Sequence, residues 1–280
     1  MWRCPLCKHP LTIHDKTWQC DNGHAFDKAK AGYVNLLPVQ FKKSLQPGDD
    51  KIMLRARRGF HQRQSYQPLM TALTDLVSQA HPETQIRLYD AGCGEGAYLR
   101  NIAESLALQG KSTTAAGSDI AKLAVEMAAK QAKTHQYVVA SSHQLPLEDE
   151  SVDTIMQIFA PGDAGEYARV LSSRGTLLTV SPGPEHLYEL KQHIYDSPER
   201  HVLPDAALSH FSLQESRQIT FTLNFENPEH VSELIAMTPF SWKLDEGRKA
   251  TLGKTLEYVT ADFICQVWRK QAPEEDHCEK

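Results

Sequence analysis

The chain has 280 residues, 41% of them hydrophobic and 23% charged, which is ordinary for a globular protein and enough to build one large core with a small appendage. It contains no run of about 18 apolar residues and no apolar signal core after Met1-Trp2-Arg3-Cys4-Pro5, so a membrane span and secretion are not expected and a cytoplasmic location is. The net charge of −5 hides an asymmetry: residues 1–65 carry 12 Lys and Arg against 5 Asp and Glu, and the remainder carries 18 against 30.

A basic front on an acidic body is what an appended nucleic-acid-binding element looks like, although basic residues gathered on solvated helix faces give the same count. The first motif lies in this front: Cys4-Pro5-Leu6-Cys7, then twelve residues, then Cys20 and His24. This C-x2-C…C-x3-H array supplies four soft or borderline ligands at the spacing of a tetrahedral structural zinc site. Pro5-Leu6 and Asp21-Asn22-Gly23 provide the turns that let each pair converge. Four protein ligands leave no open position for a reactive water, so the metal is read as structural. His9 and His14 are alternatives to His24 as fourth ligand. A redox pair is the competing reading, but it lacks a βαβ context and leaves Cys20 and His24 unexplained. Cys93, Cys265 and Cys278 are isolated.

Residues 26–47 read as extended pieces and turns, ending in the basic Phe41-Lys42-Lys43. Pro47-Gly48-Asp49-Asp50 is a turn with a helix N-cap signal, and Lys51–Gln64 is helical, with Arg55, Arg57, Arg58 and Arg63 spread around it. Phe41 and Phe60 among these cations suit stacking on single-stranded bases, or equally an anchor to the main domain. A second helix spans Gln67–Ala80, with Leu69, Leu73, Leu76 and Val77 at core-facing spacing.

The stretch that follows organises the chain. Ile86–Tyr89 is a short buried strand, Asp90-Ala91-Gly92-Cys93-Gly94-Glu95-Gly96 a glycine turn, and a helix runs to Leu108. A dinucleotide fingerprint would read G-x-G-x-x-G. Here the spacing is G-x-G-x-G and Glu95 lies inside the loop, where a carboxylate repels a pyrophosphate but suits a ligand with an ammonium group and no phosphate. S-adenosylmethionine is such a ligand. Asp119 ends the next apolar run, where a ribose diol needs an acceptor; as a bare strand-end carboxylate it would only cap the next helix.

Helix Ala121–Lys133, strand Gln136–Ala140, strand Ser151–Pro161, helix Ala164–Leu171 and strand Thr176–Ser181 continue the alternation, which predicts a doubly wound α/β sheet. The loop Phe159-Ala160-Pro161 past the fourth strand is the expected entry point of a substrate base. Ser142 and His143 are candidates for the adenine edge or for capping a turn. Beyond Asp205, Gln218–Phe225 and Asp262–Trp268 read as strands and Glu229–Met237 as a helix, and the tail from Gln271 to Lys280 as disordered. The expected division is a zinc module over 1–36, a basic linker with helices over 37–82, a methyltransferase domain over 83–270 and the tail.

These segments together resemble the bacterial large-subunit (23S) ribosomal RNA guanine-N1 methyltransferases of the RlmA type. The resemblance rests on the Cys4/Cys7/Cys20/His24 array, Gly32-Tyr33-Val34-Asn35-Leu36-Leu37, Asp90 to Gly96, Ser141-Ser142-His143, Pro182-Gly183-Pro184-Glu185-His186-Leu187 and Met237-Thr238-Pro239-Phe240. It implies a class I methyltransferase fold, Rossmann-like with an antiparallel last strand, behind a zinc module. It also implies methyl transfer from S-adenosylmethionine to N1 of one guanine in a hairpin loop of 23S rRNA, and a homodimer. By that correspondence Tyr66, Gly94, Glu95 and His186 contact the cofactor, with Asp119 carried over from the wider class I pattern. Ala97 stands where the family commonly has an aromatic residue. Asp163 and His186 are conceivable acceptors for the N1 proton, and no catalytic base is assigned. Two other readings remain: a methyltransferase for a small molecule or protein with zinc as a clip, and a non-catalytic zinc RNA-binding module.

Overall fold

The computed structural model describes residues 1–41 and 47–271; Lys42, Lys43, Cys278 and the expected disordered tail from residue 272 lie outside the described residues. The chain opens with a small antiparallel sheet, β1 (Thr12–Ile13), β2 (Thr17–Gln19) and β3 (Ala25–Asp27). So few residues cannot enclose a core of their own. Instead Trp2, Leu11 and Trp18 are buried in a cluster that also contains Tyr89 and Val138 of the main domain. The Trp2 ring lies 5.3 Å from that of Trp18 and 6.2 Å from that of Tyr89, and its indole N–H donates to Gln136. The Arg3 amide donates to the Pro146 carbonyl at 3.0 Å. The zinc module is thus docked on one face of the sheet. Its exit, β4 (Val34–Asn35), is itself the edge strand of that sheet.

Helix α1 (Lys51–Gln62) starts where the sequence signals it: the Asp50 carboxylate accepts from the Ile52 and Met53 amides at 2.7 and 2.9 Å. Leu54 packs on Ala121, Ala124 and Met127. Phe60 is fully buried, its ring 4.8 Å from that of Tyr66, so of the two readings offered for it the structure gives the anchor. Helix α2 (Gln67–Ala80) has Pro68 in its first turn and buries Leu69, Leu73, Leu76 and Val77.

The main sheet is then built from β5 (Gln85–Ala91), α3 (Ala97–Leu108), β6 (Ser112–Asp119), α4 (Lys122–Gln131), β7 (Gln136–Val139), β8 (Val152–Ile158), α5 (Ala164–Val170), β9 (Leu171–Pro182), α6 (Tyr188–Gln192), β10 (Phe211–Asn224), α7 (Pro228–Ala236), α8 (Glu246–Thr255) and β11 (Tyr258–Lys270). The spatial order is β10-β11-β9-β8-β5-β6-β7-β4, and β11 is the strand that runs against the rest. The antiparallel last strand expected of a class I methyltransferase is therefore present. The chain reverses direction across the sheet between β5 and β8, and a ligand crevice forms at such a switch point, beyond the carboxyl ends of the strands.

Strands β9, β10 and β11 differ most from their sequence reading, and helices α6 and α8 have no counterpart in it. Strand β9 begins at Leu171 rather than Thr176, because Leu171 pairs with Val152 before an irregularity and regular pairing resumes at Thr176. Strands β10 and β11 span 14 and 13 residues, about twice the expected lengths. Phe211 and Leu213 pack into the core cluster at the start of β10, but Gln214-Glu215-Ser216-Arg217-Gln218 is polar on both faces, so this stretch has no apolar alternation to read and is held by backbone pairing to β11. Among the described residues no helix is long and apolar enough to cross a membrane.

Candidate active site

The ligand atoms of Cys4, Cys7, Cys20 and His24 all lie within 4.8 Å of one another. Cys7 Sγ is 3.6 Å from Cys20 Sγ, and His24 Nδ1 is 3.6 Å from Cys4 Sγ and 3.5 Å from Cys20 Sγ. Zinc–sulfur and zinc–nitrogen bonds of ~2.3 and ~2.0 Å at tetrahedral angles require edges of roughly 3.5–3.8 Å. The donor set fits a structural zinc ion with His24 as fourth ligand. His9 is turned elsewhere, its Nδ1 3.2 Å from the Cys7 carbonyl oxygen and 3.3 Å from Asn22 Nδ2.

A cleft of about 1080 Å³ opens at the carboxyl ends of β5, β6, β8 and β9. Its floor is the glycine turn. Gly92, Gly94 and Gly96 all have positive φ, and the Gly92 and Cys93 amides both donate to the Ser118 carbonyl at 2.8 Å, pinning the turn to the end of β6. A Cβ at Gly92 would meet the Cβ of Ala160 at 2.4 Å, so glycine is what lets the loop after β8 close over the loop after β5.

Three carboxylates surround this turn and have different environments. Asp90, at the end of the central strand, is 1% exposed, and its Oδ1 has no hydrogen-bond partner. Burial, with Asp119 adding to it, pushes its pKa up to about 8. Asp119 has both oxygens engaged: Oδ2 accepts from the Gly94 amide at 2.9 Å and Oδ1 from the Ala121 amide at 2.8 Å. Burial raises its pKa as well, against the pull of those two N–H groups. A carboxylate has further lone pairs, so this cap leaves capacity for a ribose diol. Glu95 is 2% exposed and pairs with His61 Nδ1 at 2.8 Å. Burial works against its charge, but His61, Arg100 and Arg58 outweigh it and hold the pKa below the ordinary value. Glu95 thereby ties α1 to the glycine turn.

An orphaned acidic oxygen in a cleft with close backbone approach fits a ligand that carries positive charge and no phosphate. S-adenosylmethionine meets both conditions, and the residues present fit it.

The opposite wall comes from the loops after β8 and β9. Phe159 is 45% exposed and has φ +54°, a conformation that a side chain with a Cβ rarely adopts. Such strain is retained where a loop is shaped for function. The 182–187 loop is fixed by Asp262, a fully buried carboxylate on β11. It accepts from Thr220 at 2.7 Å, from Gln218 at 2.8 Å and from the Glu185 amide at 3.0 Å. A Cβ at Gly183 would come within 2.4 Å of its Oδ2. His186, held by this loop, accepts from the Asp262 amide through Nδ1 at 3.3 Å, so its Nε2 carries the proton. Burial and the neighbouring His201 lower its pKa to about 3, which makes it a poor proton acceptor. Asp163 is no better placed: it caps α5 by accepting from the Glu166 amide at 2.9 Å and does not line the cleft.

All twelve cleft residues singled out in the sequence line this cleft: Tyr66, Asp90, Gly92, Gly94, Glu95, Asp119, Ser142, His143, Phe159, Ala160, Pro161 and His186. Sequence reasoning missed His61, Gln157, Asp262 and the Asp49–Arg57 ion pair at the cleft mouth. Asp262 alone left a local signal, a charge inside the largely apolar run Val259 to Val267. His61 depends on a contact with Glu95, 34 positions away, while Gln157 and the Asp49–Arg57 pair make local contacts and gain their meaning only from the cleft they line.

Comparison with known proteins agrees with this geometry. A family described as "RlmA, N-terminal", a zinc ribbon, matches residues 2–45, and one described as "Methyltransferase domain" matches residues 82–225. YxjB of Bacillus subtilis (strain 168), provisionally named a 23S rRNA (guanine-N1-)-methyltransferase, is 30% identical over 278 residues, 95% of each chain. The 23S rRNA (guanine(748)-N1)-methyltransferase of Streptomyces fradiae is 31% identical over 253 residues, covering 87% of this chain and 86% of its own. An orphaned acid beside a glycine turn, a four-ligand zinc ribbon and relatives of matching length converge: the chain belongs to the S-adenosylmethionine-dependent 23S rRNA (guanine-N1-)-methyltransferase family.

Proposed function

We propose that this protein methylates N1 of one guanine in a hairpin loop of 23S rRNA in the cytoplasm, as a homodimer. The observation that carries the reading is the union of two sites in one cleft. The acid-lined glycine turn lies against the exposed, left-handed Phe159 loop, with Gly92 and Ala160 in closest approach. S-adenosylmethionine would supply an electrophilic methyl group for in-line displacement by N1, with the sulfur–methyl bond breaking, S-adenosylhomocysteine leaving and the N1 proton passing to solvent water.

The chain's own residues bind and orient. Asp90 offsets the positive charge of the cofactor, Asp119 accepts from its ribose, and Gly92 and Gly94 let the backbone come close. Tyr66, Glu95, Ser142, His143 and His186 complete the wall of that site, Glu95 through its pair with His61. A guanine leaves its stack more easily in a loop than in a duplex. It enters past Phe159, Ala160 and Pro161, with the Phe159 ring as a stacking surface. Holding N1 about 3 Å from the methyl carbon supplies most of what the reaction needs. The exposed cations of the zinc ribbon grip phosphates of the folded RNA.

The test is mass spectrometry of 23S rRNA from cells with and without the protein, mapped to one nucleotide, together with methyl transfer by the purified protein to unmodified 23S rRNA. One N1-methylguanine that disappears with the protein and returns in vitro is the expected result. Methylation of a protein or small molecule instead, with rRNA untouched, would sink the proposal. Light scattering of the purified protein reads the dimer.

A further inference from the structure

Three polar side chains stand in register across one face of the sheet at the floor of the cleft. Gln157 of β8 pairs with Thr179 of β9, and Thr179 with Gln266 of β11. Residues paired in this way project to the same side. Two residues earlier on β8 and β9 the same row reads Ile155 and Leu177, with Trp268 paired to Leu177, and all three are buried. The change from apolar to polar therefore falls where the sheet meets the cleft, and the three polar residues all line it.

Hydrogen bonds fix which end of each amide faces out. Gln157 Nε2 donates to the Ala160 carbonyl at 2.6 Å, and Gln266 Nε2 donates to the Asp205 carbonyl at 3.0 Å. A carbonyl oxygen only accepts, so each amide must present nitrogen there and oxygen on its other side. The Thr179 hydroxyl, which accepts from the Trp268 indole at 3.1 Å, lies 3.5 Å from Gln266 Oε1. Gln157 Oε1 accepts no hydrogen bond among the described residues. It is an acceptor in the cleft, two residues before Phe159, and a partly desolvated amide oxygen gains from a matching N–H.

Guanine differs from adenine and hypoxanthine in carrying an amino group at C2, next to N1. With N1 turned to the methyl donor, that amino group is the nearest donor the base can offer to the wall. We propose that Gln157 Oε1 accepts a hydrogen bond from the 2-amino group of the target guanine, which makes Gln157 a specificity-determining residue; this rests on the guanine-N1 reading above. The contact also accounts for Gln157 spending its own N–H on Ala160: the same side chain holds the base-entry loop and reads the base.

Hypoxanthine keeps O6 and the N1–H and lacks only the 2-amino group. A synthetic RNA hairpin containing the mapped target nucleotide is prepared with either guanosine or inosine there, and kcat/KM for methyl transfer is measured with each. The wild-type protein is expected to prefer guanosine by roughly tenfold or more, as a site built around one hydrogen bond does. In Gln157→Leu the preference is expected to fall to within about threefold, with S-adenosylmethionine affinity checked by calorimetry. Should Gln157→Leu fail to fold, Gln157→Met, of similar length without the acceptor, takes its place. A wild-type preference near one overturns the proposal without reference to any variant. So does a variant that is slower on both RNAs with the preference intact, since that is the mark of a residue that only holds the loop. No transfer to the guanosine hairpin by the wild type would strike the guanine-N1 reading itself.

Discussion

At the scale of single residues, Asp90 is the most informative group in the molecule. Burial and the Asp119 carboxylate push its pKa to about 8, so between the ordinary carboxylate range and pH 8 the free protein holds it largely protonated. A cationic ligand favours the carboxylate, so binding releases up to one proton from Asp90. Affinity gains up to about tenfold for each pH unit as pH rises towards 8, and the gain ends above it. The cofactor's own amine titrates too, which Asp90→Asn corrects for. The ratio of wild-type to variant affinity, measured by calorimetry from pH 6 to 9, is expected to climb and then level near pH 8. A flat ratio would remove Asp90 from the binding site. Asp90, the three glycines and Asp119 were legible in the sequence because two successive strand–turn units carry them. His61 was not, because its meaning lies in a carboxylate 34 positions away that only α1 packing brings to 2.8 Å.

Among the elements, the zinc ribbon depends on the domain it serves. Its metal array was legible because four ligands at fixed short spacings need only local turns to converge on one ion. Its docking was not: Trp2 and Trp18 look like isolated aromatics until Tyr89 of the central strand and Gln136 at the start of β7 are folded against them. The same limit hid the joining of β4 to the main sheet, since Val34-Asn35 is too short to show a strand period. This packing sets what metal removal does. Binding of structural zinc contributes ~10–16 kcal/mol in zinc-finger peptides, so chelation unfolds the ribbon and releases Trp2 from its contacts. Truncating a buried Trp costs ~3–5 kcal/mol, and a domain of this size moves ~2–4 °C in Tm per kcal/mol, so the methyltransferase domain should lose roughly 10 °C. Thermal melts with and without a chelator, with tryptophan emission shifting to the red, check this. An unchanged melt after verified zinc loss would mean that the ribbon is merely tethered.

For the whole molecule, the charge asymmetry of the sequence divides into committed and free cations. Of the basic residues in the first 65, Arg63 pairs with Glu226, Glu229 and Glu233, Arg57 with Asp49, and Arg3 with Asp149. Arg63 and Arg3 join distant segments, Arg57 is held locally, and all three are poor candidates for phosphate contacts. Lys8, Lys16, Lys28, Lys30, Lys51, Arg55 and Arg58 make no salt bridge to the described residues. Lys16, Lys28 and Lys30 line a groove of about 870 Å³ between the zinc ribbon and the end of α4, where Lys133 and His135 join them. If the ribbon grips RNA through this groove, each neutralised phosphate steepens the fall of log K with log salt by roughly 0.7–0.9. Replacing Lys16, Lys28 and Lys30 with serine should therefore flatten the slope by about 2 units and weaken binding to every RNA alike, leaving cofactor affinity unchanged. Filter binding across roughly 50–300 mM salt reads the slope directly. A triple variant whose slope matches the wild type would mean that RNA lies elsewhere and that these cations only solvate an outer face.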